Sequence, residues 1–213
     1  MIPKKIHFCW FGGNEMTFLY KECLKSWRVH MPDFEVIEWN EQNIDTNNTY
    51  IKYCIDKKRW AFLSDYVRMI VLRDHGGIYL DVDMEVVKSL EPLLDNQCFL
   101  GYEDKDRLNT AVVGGIAGHH FFNNAIELIE QRHNDNKPFL IAPEVANTCV
   151  KKNAEGINQL PWQYFYPYNP YAKSHDRKQL MYSYIEEETY LIHHWGKGWE
   201  MGFIEKLKRR LLK

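Results

Sequence analysis

Gly76-Gly77-Ile78-Tyr79-Leu80-Asp81-Val82-Asp83 is the stretch on which the reading of this chain turns. Residues 78–80 are a short apolar run, bounded by two glycines on one side and by two aspartates, one residue apart, on the other. Such a run predicts a buried strand. Residues two apart on a strand share a face, so alternation places Asp81 and Asp83 on one side, at the strand's carboxyl end. Open α/β sheets bind their ligands at that end. Two carboxylates side by side there are unfavourable unless a cation or a set of donors neutralises them. Carboxylate oxygens suit a hard divalent ion, Mn²⁺ or Mg²⁺. An exposed loop with two solvated aspartates is the commoner context of a bare D-x-D, so the neighbours decide.

Immediately upstream, residues 60–75 set Phe62, Leu63, Tyr66, Val67, Ile70 and Val71 in a broad apolar stripe with helical spacing. Gly76 caps that helix and Gly77 leads straight into the strand. Asp65 and Arg68 stand at i and i+3, close enough to pair. A solvated surface pair is one reading. Because the helix feeds the D-x-D strand directly, its polar edge is expected to line the same pocket.

Further out, residues 6–11 alternate into an aromatic-rich strand that stops at Gly12-Gly13, a natural nucleotide-side loop. Trp10, the last large ring before that turn, is open to two readings: a ring that stacks a base, or a core tryptophan. Helical spacing follows over 15–30 and ends at Pro32. A second strand spans 34–39, and 40–48 is polar loop. Beyond Asp83, residues 85–87 and 90–94 read as a strand piece and a turn, and 98–102 and 111–116 as strands. Glu103, Asp104, Asp106 and Asn109 are expected on the loop between those two. Helices are predicted over 121–132 and 143–152, the second with Pro143 in its first turn. Residues 162–171, WQYFYPYNPY, read as an irregular strand wedged on the core or as a platform for an acceptor sugar. A last strand, 189–192, runs into His193-His194-Trp195-Gly196-Lys197-Gly198-Trp199. Residues 203–213 form a basic amphipathic helix, suited to an anionic membrane surface or simply solvated.

Composition sets the outer bounds. With 213 residues, 45% hydrophobic and 26% charged, one α/β domain over 1–213 is expected. A formal charge of −2 argues against broad nucleic-acid binding. Seven tryptophans suit a site that stacks rings. The five cysteines are odd in number, scattered and free of any C-x-x-C, which favours reduced thiols over disulfides or zinc. No apolar run is long enough for a signal peptide or membrane span. The expectation is a cytoplasmic protein, with peripheral contact to the inner face of the membrane through its tail.

Three segments, IPKKIHFCWFGG (2–13), WAFLSDYVRMIVLRDHGGIYLDVDMEV (60–86) and IHHWGKGW (192–199), together resemble one group of enzymes. The chain is similar to the family 32 glycosyltransferases, whose sugar-binding region contains a D-x-D motif, and to the glucosyltransferase domain of the large clostridial toxins. That resemblance implies a GT-A fold, Rossmann-like with a mixed central sheet, binding a nucleotide-sugar and Mn²⁺ or Mg²⁺. By the same resemblance Trp10 stacks the nucleobase, while Asp65 and Arg68 contact ribose and donor sugar. Tyr79 and Asp81 lie at ribose and sugar. Asp83 is a direct metal ligand with Asp81 beside it, and His193 completes the metal site. Trp199 contacts the diphosphate. Lys197-Gly198 replaces the usual small residue and serine, so Lys197 is expected to substitute a point charge for a lost hydroxyl. Asn109 joins the donor-binding set, and Asp81, Asp83 and Arg68 the catalytic set. A cation held by Asp83 and His193 would stabilise the departing diphosphate, with Lys197 and the Trp199 indole as further donors. Retention of configuration is implied by the family alone. The Trp10 match favours a UDP-sugar donor over GDP-mannose, and the acceptor is expected to be a glycan or lipid-linked saccharide in capsule or lipopolysaccharide synthesis.

Two other classes compete. A haloacid-dehalogenase-like phosphohydrolase would use Asp81 as nucleophile, but the position four beyond it is Glu85 rather than Thr or Val. A non-catalytic nucleotide-sugar-binding module would not require a metal at the diphosphate, and so leaves the combination of Asp83, His193 and Arg68 without a purpose.

Overall fold

Strand β1 (Lys5–Cys9) is followed by helix α1 (Phe18–His30), a crossover long enough to bring β2 (Glu35–Trp39) parallel alongside it. The structure, a computed structural model, describes residues 1–196. Helices α2 (Thr49–Asp56) and α3 (Trp60–His75) return the chain to lay β3 (Gly77–Leu80) on the other side of β1, also parallel. Next come β4 (Met84–Val86), the hairpin of β5 (Cys98–Asp104) and β6 (Arg107–Gly115), helices α4 (His120–Asn134) and α5 (Ala142–Lys152), and β7 (Ile157–Leu160). The main sheet has the order β2-β1-β3-β6-β5-β7, with β6 alone reversed, and β8 (Leu191–His193) pairs with β4 in a small second sheet.

Both faces of the sheet are covered, which is why β3 is buried at every position and β6 at all but its first. One apolar layer gathers Leu63, Leu72, Val113 and Phe122 under α3 and α4. The other packs Trp27 of α1 with Leu80, Phe99 and Phe165. The expected mixed α/β fold is therefore present. Residues 49–56, to which the sequence reading gave no element, form a helix that the Asn48 side chain caps, accepting from the N–H groups of Tyr50 and Ile51. Two local expectations are revised. Residues 103–109 are not a loop: β5 and β6 extend through them, leaving a two-residue turn. Residues 162–171 do wedge on the core, with Phe165 and Tyr166 fully buried, but as a short 3₁₀ turn followed by irregular chain. All five cysteines are free and buried.

The turn between α3 and β3 has no room for side chains. Gly76 and Gly77 have φ of +61° and +112°, and a Cβ on Gly77 would stand 2.8 Å from the Lys5 carbonyl oxygen. His7 of β1 fastens that turn. Its Nε2–H donates to the Gly76 carbonyl at 2.9 Å and its Nδ1 accepts from the Trp39 indole N–H at 3.1 Å. The Trp39 contact requires the neutral ring, because a protonated Nδ1 cannot accept, whereas the Gly76 contact is open to either form. Burial is the largest cause pushing the His7 imidazole down, from 6.5 to about 4. The unfolded chain thus binds this proton more readily than the native one, so the stability is complete above about pH 6.5 and is lost as pH falls toward 4. The full difference amounts to about 3 kcal/mol. Urea unfolding from pH 7.5 to 4.5 should show the wild type losing about 2–3 kcal/mol more than His7→Gln over that range. Parallel profiles for the two proteins would refute the assignment.

Candidate active site

Asp81 sits where the sheet gives way to a turn. Its N–H still donates across to the Ala111 carbonyl at 2.8 Å, whereas its own carbonyl receives the Met84 N–H at 3.0 Å and closes the turn. Asp81 and Asp83 therefore do not alternate on a strand, as sequence reading had it. They lie on a turn, and the turn gives each a different set of partners.

Asp81 faces inward. Its Oδ1 accepts from Arg68 Nη2 at 3.0 Å and from the Tyr79 hydroxyl at 3.1 Å. The same Arg68 nitrogen lies 2.9 Å from Asp65 Oδ1, one turn back on α3. Its Nη1 donates to the Thr110 carbonyl at 2.7 Å and its Nε to the Ser64 carbonyl at 3.2 Å. The guanidinium lies 4.3 Å from the Tyr79 ring centroid, and its side chain is only 3% exposed. Lysine has neither the planar fork nor the stacking face for this position. Burial pushes the Asp65 carboxyl up to about 6 against the pull of Arg68, and Asp65 Oδ2 has no hydrogen-bond partner among the described residues.

Asp83 faces the end of the chain. The β4–β8 ladder sets Met84 opposite His193, which brings His193 Nε2 to 3.3 Å from Asp83 Oδ2. The Gly196 N–H donates to the same oxygen at 2.8 Å, and the His194 N–H donates to the Asp83 carbonyl at 3.0 Å. Burial would raise the Asp83 carboxyl, but His193 and the Gly196 N–H outweigh it and hold it below the usual carboxylate range. Burial would likewise lower His193, and Asp83 outweighs that, raising it. Gly196 lies close beneath Tyr20, whose hydroxyl would stand 2.8 Å from a Cβ at this position. Trp195, at φ +53°, donates from its indole to the Tyr168 carbonyl at 3.0 Å.

An oxygen and an imidazole nitrogen 3.3 Å apart have the spacing of neighbouring ligands on one small divalent ion. Among the described residues no group of three or more His, Cys, Asp or Glu is placed to hold a metal by itself. Mg²⁺ or Mn²⁺ would take one or two protein ligands and complete its shell with substrate phosphates and water. Asp83 and His193 would hold the ion. Asp81, read from the sequence as a further ligand, has its Oδ1 engaged by Arg68 and Tyr79.

The remaining residues divide. Trp10 is half-buried one residue past β1, the strand beside β3, with its indole N–H donating to the Asn14 carbonyl at 2.7 Å. The Tyr20 ring meets it edge-on at 5.6 Å. Asn109, expected on a loop, is buried in β6, where its amide donates to Glu103 and its carbonyl accepts from the Ala111 N–H. It braces the residue that receives the Asp81 N–H. Lys197, Trp199 and the 203–213 tail lie outside the described residues. Gly196 and Tyr20 were missed; the Trp-Gly pair after His193 was the only trace of Gly196 in the sequence.

A mixed α/β sheet thus carries an Asp-Val-Asp motif on the turn at the carboxyl end of β3. Residues 18–100 match the family model described as "Glycosyltransferase sugar-binding region containing DXD motif". Inositol phosphoceramide mannosyltransferase 3 of Schizosaccharomyces pombe is 26% identical over 95% of this chain and 62% of its own length. The rat (Rattus norvegicus) lactosylceramide 4-alpha-galactosyltransferase is 27% identical over 70% of this chain and 45% of its own. The chain thus spans less than two thirds of either relative. Among solved structures, the PaToxG glycosyltransferase superposes with a TM-score of 0.60 at 16% identity, covering 73% of this chain and 71% of that one. The resemblance drawn from the motifs is thus matched by the family model over residues 18–100, and the fold is shared with solved glycosyltransferase structures.

Replacing Arg68 by Met should leave two carboxylates without their buried partner and cost about 3–5 kcal/mol in urea unfolding. Asp65→Asn, which keeps shape and removes one charge, should cost less than half of that. Arg68→Met at wild-type stability would show that the pair is not the support it is taken to be.

Proposed function

We propose that the chain is a metal-dependent, retaining glycosyltransferase that moves a hexose from a nucleotide-sugar to a glycan or lipid-linked acceptor, with a UDP-hexose the favoured donor and GDP-mannose the alternative. The observation that carries this reading is the Asp83–His193 pair, 3.3 Å apart, which joins the turn after β3 to the end of β8. A divalent ion bound there supplies Lewis-acid neutralisation of the departing diphosphate. The chain's own residues do the rest by position. Arg68 holds the Asp81 carboxylate at a fixed place beside the ion site, ready to accept from donor hydroxyls. The Gly196 N–H keeps Asp83 Oδ2 oriented, and Trp10 on the neighbouring strand offers a ring to the base.

Retention through a covalent intermediate would need a free carboxylate. Glu103 is engaged by Arg107 at 2.5 Å and by Asn109, and Asp104 by the Lys173 and Ser174 N–H groups. A front-face displacement, which uses no protein nucleophile, fits these contacts better. Both relatives carry ceramide lipids in their names, which supports a lipid-linked acceptor; the capsule and lipopolysaccharide setting rests on the sequence resemblance alone. Among the described residues no helix is long and apolar enough to cross a membrane. A cytoplasmic site with peripheral membrane contact remains a proposal based on the sequence of residues 203–213.

Thermal unfolding with a panel of UDP- and GDP-hexoses tests the reading. The cognate donor at a hundredfold excess over its Kd should stabilise the protein by about 2.7 kcal/mol with Mn²⁺ present, and EDTA should abolish the effect. Asp83→Asn should lose both that protection and sugar transfer. Trp10→Ala should weaken the donor about tenfold while Mn²⁺ binding persists. Transfer at the wild-type rate by Asp83→Asn would end the proposal.

A further inference from the structure

Beyond the donor site, a cleft of about 530 Å³ lies between Tyr102, Gln159, Trp162, Gln163 and the 174–175 segment. Its place in the sheet matters. Strands β3, β5 and β7 run the same way, so the ends that carry Asp81, Tyr102 and Pro161 share one edge. Tyr102 stands two strands from Asp81, roughly 10 Å at the usual strand spacing.

The cleft's lining has a definite chemistry. The Tyr102 hydroxyl donates to Gln159 Oε1 at 2.7 Å, and the NH₂ of that amide has no hydrogen bond within the protein among the described residues. Gln163 Oε1 and His175 Nε2 are buried atoms that likewise have no partner among the described residues. Buried polar atoms of this kind are normally satisfied by something. Trp162 is fixed in place, with the His175 ring stacked at 4.5 Å and the Arg177 guanidinium 4.9 Å from its centroid. Lys105 is the one Lys or Arg in the lining. Aromatic walls with amide donors and acceptors, and little concentrated positive charge, match the apolar face and hydroxyl rim of a neutral sugar. A phosphate would call for a cluster of cationic donors, and a lipid tail would leave the amides unsatisfied.

We propose that this cleft binds a sugar of the acceptor at least one unit removed from the hydroxyl that receives the hexose. The inference rests on the glycosyltransferase reading and sharpens it: the acceptor ends in an oligosaccharide rather than in a single sugar or a bare lipid alcohol. The test uses the whole chain and a panel of lactose, maltose and α-mannobiose, followed by saturation-transfer NMR at millimolar sugar. At least one disaccharide should give saturation transfer where glycerol gives none. Gln159→Leu and Trp162→Ala should each weaken that binding fivefold or more at unchanged Tm, and Asp83→Asn should keep it. If Trp162→Ala unfolds, Gln159→Leu decides alone. Donor protection without any disaccharide signal, or a signal indifferent to Gln159→Leu, overturns the cleft and leaves the glycosyltransferase reading standing. Disaccharide binding without donor protection does the reverse.

Discussion

One buried guanidinium makes the rest of this structure possible. Three aspartates, Asp65, Asp81 and Asp83, converge near the end of a single strand, and like charges so placed oppose folding. Arg68 takes two of them, with one nitrogen within 3.0 Å of both carboxylates. Its other donors are used on backbone carbonyls, so the ion cluster is tied to α3 and β6 at once. A buried ion pair is weak evidence of stability in itself, because desolvation offsets most of its attraction. Here its consequence is geometric. With Asp81 held by Arg68, Asp83 is left as the carboxylate that the turn presents to His193.

The division between the two aspartates follows from backbone more than from charge. Had β3 continued through Asp83, both side chains would project together and compete for one partner. The turn closed by Met84 N–H to Asp81 carbonyl separates them, and the β4–β8 ladder that follows delivers His193 to the second. Residues 110 positions apart in the chain are thereby set in register by three ladder pairs. Such a site depends on long-range closure, which local sequence patterns do not reveal.

That is where legibility in the sequence ended. The periodic parts, α3, β1, β2 and the glycine-led β3, were readable because apolar spacing and glycine pairs act locally. The D-x-D pair and the Asp65–Arg68 spacing were read from residue types, whereas His193 entered through the family resemblance alone. What the sequence hid was pairing. The 103–109 segment looks like a polar loop, yet Glu103 and Asn109 satisfy one another within the hairpin, so their polarity becomes internal. The α2 cap depends on one asparagine in a run of polar residues, and such runs hold many equivalent candidates. Alternation also misled at Asp81 and Asp83, because a strand of four residues ends sooner than its side-chain pattern shows.

The reversed strand explains how the two halves of the sheet edge are joined. In an all-parallel sheet a switch in strand order leaves an open crevice at the carboxyl edge. Here β6 lies between β3 and β5 and contributes its amino-terminal residues to that edge instead. Thr110 receives Arg68, Asn109 braces Glu103 against Ala111, and the floor between Asp81 and Tyr102 is closed by hydrogen bonds. That floor has Trp10 and the Asp83–His193 pair on one side, and Tyr102 and the aromatic 162–171 segment on the other. The proposed acceptor cleft would set two elongated molecules end to end along this edge. On the proposed function they are the nucleotide-sugar, lying over β1 and β3, and the saccharide acceptor, lying over β5 and β7.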